Sequence, residues 1–386
     1  MAAGLASQTL FETGLLLFTA FIVGEILERF GVESIIGYIL TGLLLGPSFL
    51  NMIQPEAVQS FATIGATLVL FQAGLREENV ADIFRHRKGL ELGLGILAFS
   101  FAFILGALML FGENFLPYSG MKQFVFLALA YSVVDIGVPS KIMLSRDMLR
   151  DSTGKYAIKA SVINVTAGLL ALTALVLIAA PFQTMVVRLA GILGFVAVFY
   201  LLHEFIHKLD DYIIMFEEAE AQFALTFSLL LGLSYATEVI GLSTVLGAFF
   251  AGIIVSRSEF SESRAFQEKI SAIGLGLFIP IFFAWFGLGL HVHAMIVNLQ
   301  AAAFLFSLST VSKLALGYLL PRIRGNSNPF TIAASLVSLD IESLVVLLIG
   351  IDMGVFGTEV LQIFAPAVFL STITIVVLYA AIDRFQ

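Results

Sequence analysis

AYSVVDIGVPSK (130–141) and SLVSLDIESLVV (335–346) each place carboxylates inside an apolar run. Asp135 lies in the first, and Asp340 and Glu342 lie in the second. Both runs contain the pair Asp-Ile, and both are flanked by Gly, Pro or Ser. A charged side chain at the centre of a bilayer costs at least about 2.5–3.5 kcal/mol on insertion scales, so such residues mark function by default. Interrupted apolar segments at corresponding places in two halves of a chain point to a transporter's binding site.

The surrounding chain has the composition of a membrane protein. Of its 386 residues 59% are hydrophobic and only 12% charged, against about 25% charged in soluble domains. The mean hydropathy is +1.00. The fold class expected is an all-α polytopic membrane protein. Cysteine is absent, which excludes disulfides and thiolate chemistry. A formal net charge of −8 argues against a nucleic-acid partner. No phosphate-binding or dinucleotide-binding glycine motif is present, so no cofactor is expected. The first apolar stretch lacks the basic flank and cleavage site of a leader peptide.

Thirteen segments approach the ~20 residues needed to cross hydrocarbon. They run over 8–27, 34–51, 57–75, 89–112, 122–145, 154–180, 183–206, 219–237, 239–256, 270–290, 294–320, 328–350 and 355–382. Lys and Arg test this count. Arg29, Arg76, Arg85, Arg87, Lys88, Arg146, Arg150, Lys155, Lys208, Arg257, Arg264, Lys269, Arg322, Arg324 and Arg384 fall on one side, and only Lys122 and Arg188 on the other. The positive-inside rule makes the rich side cytoplasmic, with the N-terminus outside and the C-terminus inside.

The halves echo each other. Gly37 and Gly42 match Gly247 and Gly252, and Asp135-Ile136 matches Asp340-Ile341. Seven spans separate each matching pair, an odd number, so the copies run in opposite directions. The expected organisation is a single transporter unit with an inverted-topology repeat. Residues 1–182 (spans 1–6) form the first copy, 183–218 a linker helix and loop, and 219–386 (spans 8–13) the second copy.

Several constellations could carry chemistry. Pro139 removes a backbone donor and disfavours helix at Val138. With Gly137 it predicts an unwound stretch whose free carbonyls suit a cation, and Asp135 adds a negative ligand or a proton carrier. The plainer alternative is a kinked helix whose Asp acts as a cap. Asp340 and Glu342 point to different helix faces unless the helix breaks between them, and burial and mutual repulsion favour a proton on one of them. Lys313 is the only cation deep in span 11, a counter-ion or a switch; snorkelling is the weaker alternative, since about two helical turns separate it from the following loop. Lys159, near the basic end of span 6, reads as a snorkelling lysine. Asn164 and Thr166 are polar groups in apolar span 6, either ion ligands or helix-packing partners. His203-Glu204-Phe205-Ile206-His207 matches the HExxH zinc pattern. It lies at the end of the linker span before a solvated acidic loop, with no settled third ligand, so no metal is expected and a membrane metalloprotease is the remote alternative.

At this point the residues resemble the cation–proton antiporter superfamily, in particular the branch of bacterial sodium/proton and Kef-type potassium/proton antiporters. The resemblance rests on IIGYILTGLLLGPSFL (35–50), LVLFQAGLREE (68–78), VLGAFFAGIIVSRSE (245–259), IPIFFAWFGLGLHV (279–292) and the Lys313 segment, and it covers nearly the whole chain. It implies a homodimer with a dimerisation domain and a core domain in which two broken helices, spans 5 and 12, cross. It also implies a bacterial or archaeal cytoplasmic membrane. The family's span 6 carries an ion-binding aspartate where this chain has Val165 after Asn164. Its span 12 often reads Arg-Gly-Glu where this chain has Asp340-Ile341-Glu342.

The expected function is therefore a secondary active transporter exchanging Na⁺ or K⁺ for protons by alternating access. Asp135, Asp340 and Glu342 would share cation and proton, Lys313 would be their charge partner, and Asn164 and Thr166 neutral ligands. The alternative is an antiporter fold with altered or lost exchange: a channel, a carrier of another solute, or a sensor. The chain stops soon after span 13, which leaves room for a cytoplasmic regulatory domain or subunit beyond it.

Overall fold

The structure, a computed structural model, describes residues 2–30, 34–75, 87–135, 143, 151–178, 190–191, 193–195, 197–201, 219–240, 244–326, 328–339 and 341–385. Every regular element among the described residues is helical. In chain order the helices are α1 (Ala2–Arg29), α2 (Ser34–Leu45), α3 (Pro55–Leu75), α4 (Arg87–Phe115), α5 (Met121–Ser132), α6 (Ser152–Ile178), α7 (Ala219–Val239), α8 (Thr244–Val255), α9 (Arg264–Ile273), α10 (Ile279–Leu288), α11 (Val292–Val297), α12 (Leu299–Ile323), α13 (Pro329–Ser335), α14 (Ile341–Asp352) and α15 (Val360–Phe385). Six stretches among the described residues are long and apolar enough to cross a membrane, and Ser34–Leu45 and Leu246–Val255 are shorter apolar helices. The HExxH stretch 203–207, Gly137, Pro139 and Asp340 lie outside the described residues.

Two compact units form, one from residues 1–79 with 173–290 and one from residues 80–172 with 291–386. Each draws on both halves of the chain, so the units interleave the two expected repeats rather than following them.

In the first unit, α2 packs against α1 and α10, and α8 packs against α7 and α3. The glycines singled out in the sequence make these approaches possible. A methyl group at Gly37 would collide with the Gly24 backbone of α1, and one at Gly42 with the Ala284 carbonyl of α10. At Gly247 it would meet the Leu233 carbonyl of α7, and at Gly252 the Phe71 carbonyl of α3. Small residues let helix backbones approach closely in lipid, where no hydrophobic force drives helices together. Helix α2 stops at Leu45, short of the segment 34–51 expected from hydropathy. Gly46-Pro47 cannot continue it, and the chain turns back so that Met52 N–H donates to the Leu45 carbonyl (2.9 Å). Between α9 and α10 the helix widens into a π turn, Gly274–Phe278, just before Pro280, which has no N–H for the regular ladder.

In the second unit, α4 packs along α5 and α12, and α12 also contacts α13 and α15. Phe115 of α4 stacks on Phe304 of α12 at 4.3 Å between ring centroids. Leu92, Ile96, Val134, Ala157, Ala160, Ile332 and Leu336 belong to one buried cluster. Two of these, Val134 and Leu336, are not helical. Both interruptions of the predicted spans are therefore present. Helix α5 ends at Ser132 with Val133 extended, and residues 336–339 separate α13 from α14. The first interruption begins earlier than Pro139 predicts: helix has already ended six residues before the proline. Side chains from neighbouring helices meet the α5 carbonyls that this early end leaves free.

Candidate functional site

Where a helix stops inside apolar surroundings, its last carbonyls and the next N–H groups need partners. At the end of α5 two helices, α6 and α12, supply them. Ser309 Oγ of α12 donates to the Tyr131 carbonyl (2.6 Å). Asn164 Nδ2 of α6 donates to the Ser132 carbonyl (3.5 Å) and to the Gly93 carbonyl of α4 (3.3 Å). Lys313 Nζ of α12 donates to the Val133 carbonyl (2.7 Å). Val134 N–H donates to Asn164 Oδ1 (2.9 Å). The Tyr131, Ser132 and Val133 carbonyls and the Val134 N–H thus each have a named partner.

The two interruptions meet. Asp135 N–H donates to the Ser338 carbonyl (3.4 Å), and Ser338 Oγ donates to Asp135 Oδ2 (3.1 Å). On the second stretch, Leu339 N–H donates to Ser371 Oγ of α15 (3.2 Å). Ser335 Oγ bonds its own helix at the Thr331 carbonyl (2.7 Å) and lies 2.7 Å from the Tyr379 hydroxyl.

Burial makes the charges here consequential. Asp135 is 2% exposed, Lys313 0% and Glu342 6%. Both carboxylates act electrostatically on the Lys313 ammonium. The half-helix ends reinforce this pattern. A helix carries about half a negative charge at its C-terminus and half a positive one at its N-terminus. Lys313 meets the C-terminal end of α5, and Glu342 lies in the first turn of α14.

The structure brings Asp135, Asn164 and Lys313 to one place and puts Glu342 within electrostatic reach of it. Thr166 is not drawn in: its hydroxyl has no hydrogen-bond partner among the described residues. Two residues beyond Asn164, it faces another side of α6. Val165 is 1% exposed. Sequence reasoning missed Ser309 and Ser371. The available signal for Ser309 was its position one helical turn before Lys313, in the polar run SLSTVSK (307–313).

The site thus combines a buried carboxylate, a buried ammonium and two interrupted helices. The family model described as "Sodium/hydrogen exchanger, transmembrane" matches residues 15–381. The chain belongs to this family. Membership makes this exchanger-family chain an integral membrane transporter rather than an enzyme. It is 28% identical over 370 residues to a Na⁺/H⁺ antiporter of Enterococcus hirae, covering 93% of this chain and 94% of that one. It is 25% identical over 400 residues to K⁺/H⁺ antiporter 1 of Saccharomyces cerevisiae, covering 94% of this chain and 45% of that one. The solved sodium–proton antiporter MjNhaP1 of Methanocaldococcus jannaschii has the same fold, with a TM-score of 0.62 at 15% identity over 96% of this chain and 93% of that one.

Proposed function

We propose that this chain is a monovalent cation/proton antiporter that takes Na⁺ or K⁺ and protons in turn at Asp135, by alternating access. The observation that carries this reading is the position of Asp135: buried, at the junction of two unwound stretches, beside the carbonyl that Lys313 holds. A desolvated carboxylate needs either a proton or a counter-charge. Cation and proton therefore compete for it, and that competition is exchange. Glu342 and Asp340 share the negative charge, and Lys313 is their charge partner. In the sequence Gly137 and Pro139 follow Asp135, and Pro139 disfavours regular helix there. Asn164 acts chiefly on the backbone, and Thr166 is the neutral group left over to meet an ion. The relatives named for Na⁺/H⁺ and for K⁺/H⁺ exchange support a monovalent cation.

The finer architecture goes with this reading: thirteen spans, an inverted repeat, the N-terminus outside and a homodimer. The glycine contacts support the repeat, since α2 and α8 each lie between matched neighbours. So do the clamps. Leu339 follows Val134 by 339 − 134 = 205 residues, and their partners Ser371 and Asn164 are 371 − 164 = 207 apart. The unit holding both interruptions takes the part of the core domain, and the other unit that of the dimerisation domain. The skewed Lys/Arg distribution supports the orientation.

The test is exchange in liposomes with an imposed Li⁺, Na⁺, K⁺ or Rb⁺ gradient, read as lumenal pH. Wild type is expected to move protons against Na⁺ or K⁺, and Asp135→Asn to stop doing so. A variant that matches wild type removes Asp135 from the role. A second reading, an antiporter frame that has lost exchange, draws on Val165, which stands where the family's ion-binding aspartate is expected. It gains if folded wild type gives no cation-dependent pH change.

A further inference from the structure

Beyond the junction, the second unit has a cavity of about 470 Å³ where the start of α6 and the end of α12 come together beside the start of α4. Its described lining includes Lys88 of α4, Ser152, Lys155, Tyr156 and Lys159 of α6, and Arg324 at the end of α12. Four of these six carry positive charge, and no carboxylate is among the described lining residues. Glu91 pairs with Arg324 (2.5 Å) and with Arg87 (3.2 Å), and so offsets part of the charge from one side. The Tyr156 hydroxyl is buried with no hydrogen-bond partner among the described residues. The approach of α4 to α6 shapes the wall: a methyl group at Gly89 would stand 3.3 Å from Lys159 Cβ, and one at Gly93 would strike Ile163.

These observations point to an occupant. Snorkelling explains one lysine reaching toward solvent, but not four cations from three helices around a single space. The volume lies within the ~300–1,000 Å³ typical of small-ligand sites. Lysine is a point-charge partner for phosphate, and arginine matches it with a fork of donors. The N-terminal end of α6 adds its dipole. Basic pockets between membrane helices suit phosphorylated head groups.

We propose that this cavity binds a phosphate-bearing anion, supplied by an anionic lipid head group or by a soluble phosphate. An occupant would bridge the helices that carry Asn164 and Lys313, because Lys159 lies on α6 and Arg324 caps α12.

The test is binding, which does not depend on exchange. The purified full chain in nonionic detergent at low salt is titrated with dioctanoyl phosphatidylglycerol, with inorganic phosphate, and with dioctanoyl phosphatidylcholine as the neutral control, reading thermal unfolding and ligand retention. Phosphatidylglycerol or phosphate should raise the unfolding temperature, and phosphatidylcholine should not. Binding of phosphatidylglycerol alone assigns the lipid, and binding of both assigns the phosphate group itself. Lys155→Gln/Lys159→Gln should weaken binding at least about tenfold, Lys155→Arg/Lys159→Arg should retain it, and Lys122→Gln should leave it unchanged. If the double glutamine variant does not fold, Lys88→Gln carries the same comparison. The proposal is overturned if neither anion binds, if phosphatidylcholine binds equally, or if the folded glutamine variants bind like wild type.

Discussion

The two interrupted stretches solve the same problem with different chemistry. Residues 133–135 end α5, and residues 336–339 separate α13 from α14. Both leave backbone groups without helical partners in a buried place. At the second, a serine hydroxyl meets the orphan N–H: Ser371 receives Leu339. At the first, an amide, a hydroxyl and an ammonium do the work: Asn164, Ser309 and Lys313. Helix α4, the counterpart of α12 in the proposed repeat, carries no Lys or Arg between Glu91 and Glu113. A serine satisfies geometry alone. A lysine also brings a charge, and it brings it one carbonyl away from Asp135. The first break is therefore tied to the charge state of its carboxylate, and the clamp on the second serves chiefly to hold the frame.

Five substitutions test that contrast, in descending order of effect. Asp135→Asn should cut cation-driven proton movement by at least about a hundredfold, the lower bound for losing a group that must take and give a proton. Residual exchange near wild-type level would place the chemistry elsewhere. Lys313→Met removes the ammonium from the Val133 carbonyl and leaves buried carboxylate charge uncompensated. The expected loss is about 3–5 kcal/mol, read as a lower unfolding temperature in detergent. An unchanged unfolding temperature would mean that this lysine holds nothing.

Asn164→Ala and Ser371→Ala compare the two clamps directly. Removing Asn164 orphans the Val134 N–H and the Ser132 carbonyl and should cost about 1–3 kcal/mol, with Ser371→Ala near the lower end. Equal losses in thermal unfolding would erase the distinction drawn here. Thr166→Val is the smallest. With no hydrogen bond among the described residues to lose, its stability should stay within about 0.5 kcal/mol of wild type. Should it nevertheless abolish exchange in the liposome assay, Thr166 is an ion ligand and its hydroxyl waits for the cation.

Some of this site was legible in the sequence because it is expensive. A carboxylate, a lysine and an asparagine in apolar helix stand out against their surroundings, and Asp135, Lys313 and Asn164 do meet in the structure. Ser309 and Ser371 were not legible. A serine in a membrane helix ordinarily returns its hydroxyl to its own turn, as Ser307 does to the Ala303 carbonyl and Ser161 to the Ala157 carbonyl. Nothing local separates those from the serine that reaches a neighbouring helix. The start of the first break was not legible either: α5 ends at Ser132, before Gly137 and Pro139. Proline marks where helix cannot continue, but α5 has already ended, and donors from α6 and α12 take its last carbonyls.

The sequence by itself determined that this is a helical membrane chain, which residues cost most to bury, and which glycines permit close approach. These follow from hydropathy, charge and side-chain size, properties that each residue carries alone. Tertiary structure decided that Asp135 faces Ser338, that Lys313 holds the Val133 carbonyl, and that one clamp is charged and the other is not. The Asp135–Ser338 and Lys313–Val133 pairings join residues more than a hundred positions apart, and they arise because orphaned backbone groups in a buried interior need partners on whichever helix lies beside them.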